Sequence, residues 1–198
     1  TWLVFAGLSA CVSIPVTFDK NDTGIDGVDG VDVVDTGPLI EEACHLAVEG
    51  WSEEWSTFEE ETLVLLNERR SQGADCQTGG VFSPAGPLAM NPYLRCSSRF
   101  HSYWMGDIQD DLMHESPGGD LGDDPWQRIS STGFPGSATG ENIAAGYASP
   151  TDVVEGWMSS DGHCANIMSP ESNVVGVGYY VAPQSGYVHW WTTNFGRE

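Results

Sequence analysis

The chain has 198 residues, with 29 Asp and Glu against seven Lys and Arg and a formal net charge of −22. That balance excludes nucleic acid and anionic membrane surfaces as partners, because both are bound through basic patches. Cationic partners, divalent ions and a saline habitat stay open, beside the plain reading that the charge keeps the protein soluble.

Thr1 to Cys11 is an apolar run that closes on Leu8-Ser9-Ala10-Cys11. It resembles a secretory signal ending in a lipobox, whose cysteine would be lipidated and become the mature N-terminus. A buried strand is the alternative. No Met and no basic segment precede the run, as in a piece of a longer reading frame. At roughly ten residues it is too short to span a bilayer.

Residues 12–57 read as an acidic, Asp- and Gly-rich tether. Residues 19–61 alone hold 14 acids and a single base, Lys20. Asp19-Lys20-Asn21-Asp22-Thr23-Gly24 opens like a calcium loop, but Gly30 stands where the bidentate Glu belongs. The composition shift places the boundary near Trp51 to Phe58, with the folded domain at 58–198.

Phe58 to Gln72 has helical spacing, with Phe58, Leu63, Leu65 and Leu66 on one broad face and Gly73 as C-cap. A second helix is predicted from Pro92 to about Ile108, with His101 a satisfied core histidine beside Trp104 and Met105. Pro125 to Thr132 is a short third helix. Ser149 caps a fourth that stops by Gly162. Asn173 to Ala182 and Tyr187 to Phe195 read as strands of a hairpin turning through Pro183-Gln184-Ser185-Gly186. Helices followed by a hairpin indicate an α+β fold.

With Cys11 set aside, Cys44, Cys76, Cys96 and Cys164 form an even set suited to disulfides in an exported chain. Three connectivities are open. Cys76 with Cys96 is favoured, tying a Gly-rich loop to the next helix, and Cys44 with Cys164 follows by elimination.

Three Gly-punctuated or polar segments carry the chemistry: His114 in Leu112-Met113-His114-Glu115, Glu141 in Gly140-Glu141-Asn142-Ile143, and His163 in Gly162-His163-Cys164-Ala165-Asn166. Two imidazoles, one carboxylate and water can make four-coordinate zinc with an open position. The alternative is a hydrogen-bonded polar cluster that shapes a cleft. Ser160 and His163 are three apart, but no nucleophile elbow is present, so Ser160 is not read as a nucleophile.

Several ordered motifs between about Glu61 and Gly196 resemble the CAP superfamily of cysteine-rich secretory proteins, antigen 5 and plant pathogenesis-related proteins (the SCP domain), in a bacterial version. They include Leu66-Asn67-x-x-Arg70, His101-Ser102-x-x-Met105, Gly140-Glu141-Asn142-Ile143-Ala144, Trp157-Met158-x-Ser160-x-Gly162-His163 and Gly176-Val177-Gly178-Tyr179. The resemblance implies a three-layer α-β-α sandwich with a central antiparallel sheet. It also implies a cleft of two His and two Glu that binds a divalent cation in some members. His114, Glu141 and His163 fall on three of those positions. Ser160 stands where the second Glu would be.

The functional expectation is a secreted or surface-anchored binding module, monomeric, reaching a membrane only through Cys11. By resemblance its ligands include a lipid or sterol, a divalent cation such as Zn²⁺, or a protein partner. Trp190 or Trp191 would wall an apolar groove for a lipid. A metal-dependent hydrolase using His114, His163 and Glu141 is the alternative.

Overall fold

The computed structural model describes residues 51–198. The lipobox with Cys11, the calcium-like segment, Cys44 and the tether up to residue 50 lie outside the described residues.

Helix α1 runs Glu53–Gln72 and opens at Glu53 rather than Phe58, because Ser52 caps it: its hydroxyl accepts from Trp55 N at 3.1 Å. Glu53 and Glu54 sit at the positive end and Arg69 and Arg70 at the negative end, as the helix dipole favours. The buried stripe Glu59, Thr62, Leu66 and Arg70 has helical spacing but is half ionic. Arg70 reaches the carbonyls of Gly86, Ile167, Ser169 and Ser172 at 2.6–3.0 Å. Glu59 accepts from Trp51 Nε1, Arg95 Nε, Arg99 Nε and the backbone N of Tyr179. Arg99 lies over the Trp51 ring, 5.1 Å from its centroid.

After a small ladder of β1 (Ala74–Asp75) and β2 (Val81–Phe82), the main sheet is built from β3 (Ala89–Met90), β4 (Ser137–Ala145), β5 (Val174–Val181) and β6 (His189–Arg197). Its spatial order is β3-β5-β6-β4. The β5–β6 and β6–β4 pairs are antiparallel, and the two-residue β3 joins β5 in parallel. Strand β4 contains the Gly140-Glu141-Asn142-Ile143 segment, which sequence periodicity left without an element.

Alternation along the strands makes the layers. Val175, Val177, Tyr179, Trp191 and Phe195 share one core with residues of α1, α4 (Pro150–Met158) and α5 (Asp161–Met168). Helix α2 (Pro92–Tyr103) covers the opposite face, directly on Gly176 and Gly178. A Cβ at either glycine would strike the α2 backbone. The close approach lets Ser98 and Ser102 donate to the Gly176 and Gly178 carbonyls at 3.0 and 2.9 Å. The result is the α-β-α sandwich expected from the motifs.

Three local expectations need correction. The second helix is α-helical only to Tyr103; Trp104–Gln109 widens into a π-helical turn that ends at Asp110. The fourth helix does not run on toward Gly162. It ends at Met158, and extended Ser160 starts a new helix, α5, so His163 is a helical residue. The disulfide joins Cys76 to Cys164, with Cα atoms 5.6 Å apart, so neither expected pairing holds; Cys96 is disulfide-bonded as well. The physical reason is that the 3-10 turn Gln77–Gly79 packs on the start of α5, where the Thr78 hydroxyl and amide both donate to Asp161.

Trp190 and Trp191 face opposite sides of the sheet, and both are fully buried. Neither walls a groove. His189 also finds a partner: its Nδ1 lies 2.7 Å from the Tyr179 hydroxyl. No described helix is long and apolar enough to cross a membrane.

Candidate functional site

Glu141 is the centre. It lies on β4, directly across from Asn194 on β6. Helix α3 (Pro125–Ser131) is started by Asp124 as N-cap and Pro125 in the first turn, and it carries Arg128 inward. Arg128 donates to Glu141 Oε2 at 2.8 Å and to Ser116 Oγ at 2.8 Å. Asn194, with its amide nitrogen turned to the carboxylate, donates to the same Oε2 at 2.9 Å. The opposite orientation would set two oxygens against each other.

The other oxygen, Oε1, is 2.8 Å from Nδ1 of His114. An ionised carboxylate only accepts, so His114 carries its proton on Nδ1 and leaves Nε2 as an acceptor when neutral. His114 is held from both sides in its loop. The Met113 carbonyl accepts from His101 Nε2 at 2.9 Å. On the far side, Ser116 bonds to Gly122 O at 2.7 Å and receives Arg128.

The electrostatics follow from these contacts. Burial alone would raise the Glu141 pKa, but the His114 hydrogen bond, the charge His101 carries once protonated in acid, and Arg128 outweigh it and hold the carboxyl below its usual range. Burial pushes His101 down to about 4; Glu141 opposes this shift and Arg128 adds to it. His101 is therefore neutral at ordinary pH. Its Nδ1 is buried without a hydrogen-bond partner. Its other nitrogen, Nε2, lies 3.9 Å from Glu141 Oε1, beyond hydrogen-bond range. His163 is lowered by burial and then by the charge of His114, so the two imidazoles are electrostatic neighbours.

His114 and Glu141 are thus brought together, while His163 approaches from α5 without joining the bonds at Glu141. Asn142 and Asn166 connect that helix to β4: Asn142 donates to the His163 carbonyl at 3.1 Å, and Asn166 to Asn142 Oδ1 at 2.9 Å. Ser160 is the extended N-cap residue of α5, and its hydroxyl makes no capping bond. It neither contacts Glu141 nor lines the depression beside it.

Glu141 does not fit a divalent cation as a direct ligand, while Nε2 of His114 stays open. Both Glu141 oxygens are engaged, one by a buried guanidinium. Among the described residues no group of three or more His, Cys, Asp or Glu is arranged to hold a metal ion.

Two depressions open beside this centre. One, of about 530 Å³, is lined by His114, Glu115, Asp124, Trp126, Glu141 and Asn166 among others. Its neighbour, of about 560 Å³, runs past Gly119, Asp120, Gln127 and Ser130. They share Asp124 and Trp126. The Trp126 side chain is half exposed, at 53 %.

Sequence reasoning missed Arg128, Asn194 and Trp126. Arg128 carried a signal: it is one of seven bases in a very acidic chain and sits beside Ile129 in a predicted helix. Asn194 follows Thr192 and Thr193 in the closing strand, a polar stretch between Trp191 and Phe195. Trp126 carried none, since a tryptophan is ordinarily core material.

Residues 65–195 match the cysteine-rich secretory protein family. The chain is 34 % identical over 141 residues to an uncharacterised protein, YkwD, of Bacillus subtilis, covering 71 % of this chain and 47 % of that protein. It therefore spans about half the length of that relative. An extracellular SCP-domain protein of Bacillus anthracis superposes with a TM-score of 0.58 at 24 % identity, over 72 % of this chain and 41 % of that one. An outer surface protein of Borrelia burgdorferi gives 0.51 at 17 % identity, over 71 % and 94 %. At these identities the structures attest the fold. Together with the sequence match they make the chain a bacterial-type member of the cysteine-rich secretory protein (CAP) family.

Proposed function

We propose that the chain is an extracellular binding module, and that its ligand is a cationic segment of another polypeptide laid over Trp126. The observation that carries this reading is an exposed indole at the junction of two depressions, with Glu115, Asp120 and Asp124 around it and no Lys or Arg in either lining. A lysine or arginine side chain there gains a cation–π contact and nearby carboxylates together. The net charge of −22 attracts such a partner over distance. The disulfide supports an exported setting. It also accords with relatives described as extracellular and outer-surface proteins. Anchoring at Cys11 belongs to the same reading, and mass spectrometry of the mature N-terminus tests it: a chain retaining Thr1 to Ala10 rules the anchor out.

A hydrolase reading has little to stand on. Glu141 is tied to a buried arginine, and Ser160 and His163 share no hydrogen bond. The lipid reading loses the two tryptophans that suggested it.

Calorimetry with Lys/Arg-rich peptides, charge-reversed peptides, and sterol and fatty-acid panels tests the proposal. Cationic peptides are expected to bind, more weakly as salt rises, and at least tenfold more weakly to Trp126→Ala. Equal affinity for cationic and acidic peptides ends it.

A further inference from the structure

We propose that Arg128 is a built-in counter-ion that occupies the place at Glu141 a divalent cation would need, so that this cleft works without one. The Glu141 side chain is 3 % exposed and that of Arg128 fully buried. Oε1 faces His114 and Oε2 faces Arg128 and Asn194, so ligation by Glu141 itself would have to displace a charge-assisted bond, and a metal on the open Nε2 of His114 would find that carboxylate already neutralised. The guanidinium is fully buried, so displacing it from Glu141 would leave its charge unpaired. Its other fixed partner is the hydroxyl of Ser116, which donates to Gly122 and brings no charge. A divalent ion would then sit beside an uncompensated buried positive charge, with two like-signed centres in one poorly solvated space.

The family's second carboxylate could have balanced such an ion, but Ser160 stands there and turns its backbone to capping: its carbonyl accepts from Cys164 N at 2.8 Å. The two departures are consistent with each other. With one carboxylate already neutralised from inside and the second absent, neither of the two carboxylates the resemblance implies is left to share a cation with His114 and His163. Arg128 acts here as a positioning residue. It holds Glu141, and Glu141 holds the ring of His114.

This inference is independent of the peptide reading, which fails on peptide affinity, whereas this one fails on Zn²⁺. Zn²⁺ alone is titrated by calorimetry into the wild type, into the His114→Ala/His163→Ala double variant, and into Arg128→Gln with and without Ser160→Glu. The wild type and the double variant are expected to take up Zn²⁺ equally, within twofold. Arg128→Gln, more so with Ser160→Glu, is expected to gain at least tenfold in affinity and to lose that gain when His114→Ala is added. A wild-type site weakened tenfold or more by the double substitution overturns the proposal. So does a folded Arg128→Gln that gains nothing. Should Arg128→Gln fail to fold, Arg128→Lys decides: it keeps the positive charge, so continued absence of a His114-dependent site supports the assignment, and a gain overturns it.

Discussion

Glu59 and Glu141 are both buried carboxylates held by arginine, and they differ in what else reaches them. Around Glu59 the donors are Trp51, Arg95, Arg99 and a strand amide, so the carboxylate joins α1, α2 and β5. Around Glu141 one donor is the imidazole of His114, whose side chain is 45 % exposed. The first cluster closes on itself. The second passes its charge to a ring that solvent or a ligand can touch. Burial and ion pairing alone therefore do not distinguish a structural joint from a site; the exposure of one partner does.

The largest expected effect of a substitution separates the two clusters directly. Glu59→Ala should cost about 3 kcal/mol, because Arg99 loses its carboxylate and Arg95 keeps only Glu60. Peptide affinity of the folded fraction should stay unchanged. Urea denaturation with calorimetry at low denaturant checks both, and a Glu59→Ala protein as stable as wild type would break the comparison.

Acid should act on the cleft side, through His101. The unfolded chain takes up that proton near pH 6.5 and the folded chain only near 4. Stability is therefore whole above about 6.5 and falls by about 3 kcal/mol as pH drops toward 4. Glu141, also held below its ordinary value, adds to the loss at lower pH. Melting temperatures of wild type and His101→Gln across this window give the test: the variant should show the shallower slope, and parallel curves would remove His101 from the account.

Smaller still, His114→Ala should cost about 1 kcal/mol, since its hydrogen bond to Glu141 is lost where water can enter. The ¹⁵N shifts of the Arg128 side chain should move with it if the chain of contacts is continuous. Trp126→Ala should change stability by no more than about 0.5 kcal/mol, as surface substitutions do, while affecting cationic-peptide affinity more than any of the others. A large stability loss there would make Trp126 a core residue and remove the exposed indole between the two depressions.

Much of the fold was legible because its signals are local. Ser149 is a cap, Pro92, Pro125 and Pro150 open helices, and the Val- and Trp-rich strands of the closing hairpin alternate between two cores. Strand β4 was hidden because Gly140 and Gly146 read as punctuation, although its residues pair with β6 on both sides of a bulge at Thr139. The break between α4 and α5 was hidden too, since a disulfide and Thr78 hold α5 from 83 or more residues away in sequence.

By itself the sequence determined the family, the sandwich, and two of the residues that meet at the cleft, His114 and Glu141, because ordered motifs and caps are written in neighbouring residues. Only the tertiary structure decided how that cleft is charged. The guanidinium of Arg128, the amide of Asn194 and the hydroxyl of Ser116 come from separate elements. Which carboxylate a buried cation neutralises depends on distances that only packing sets.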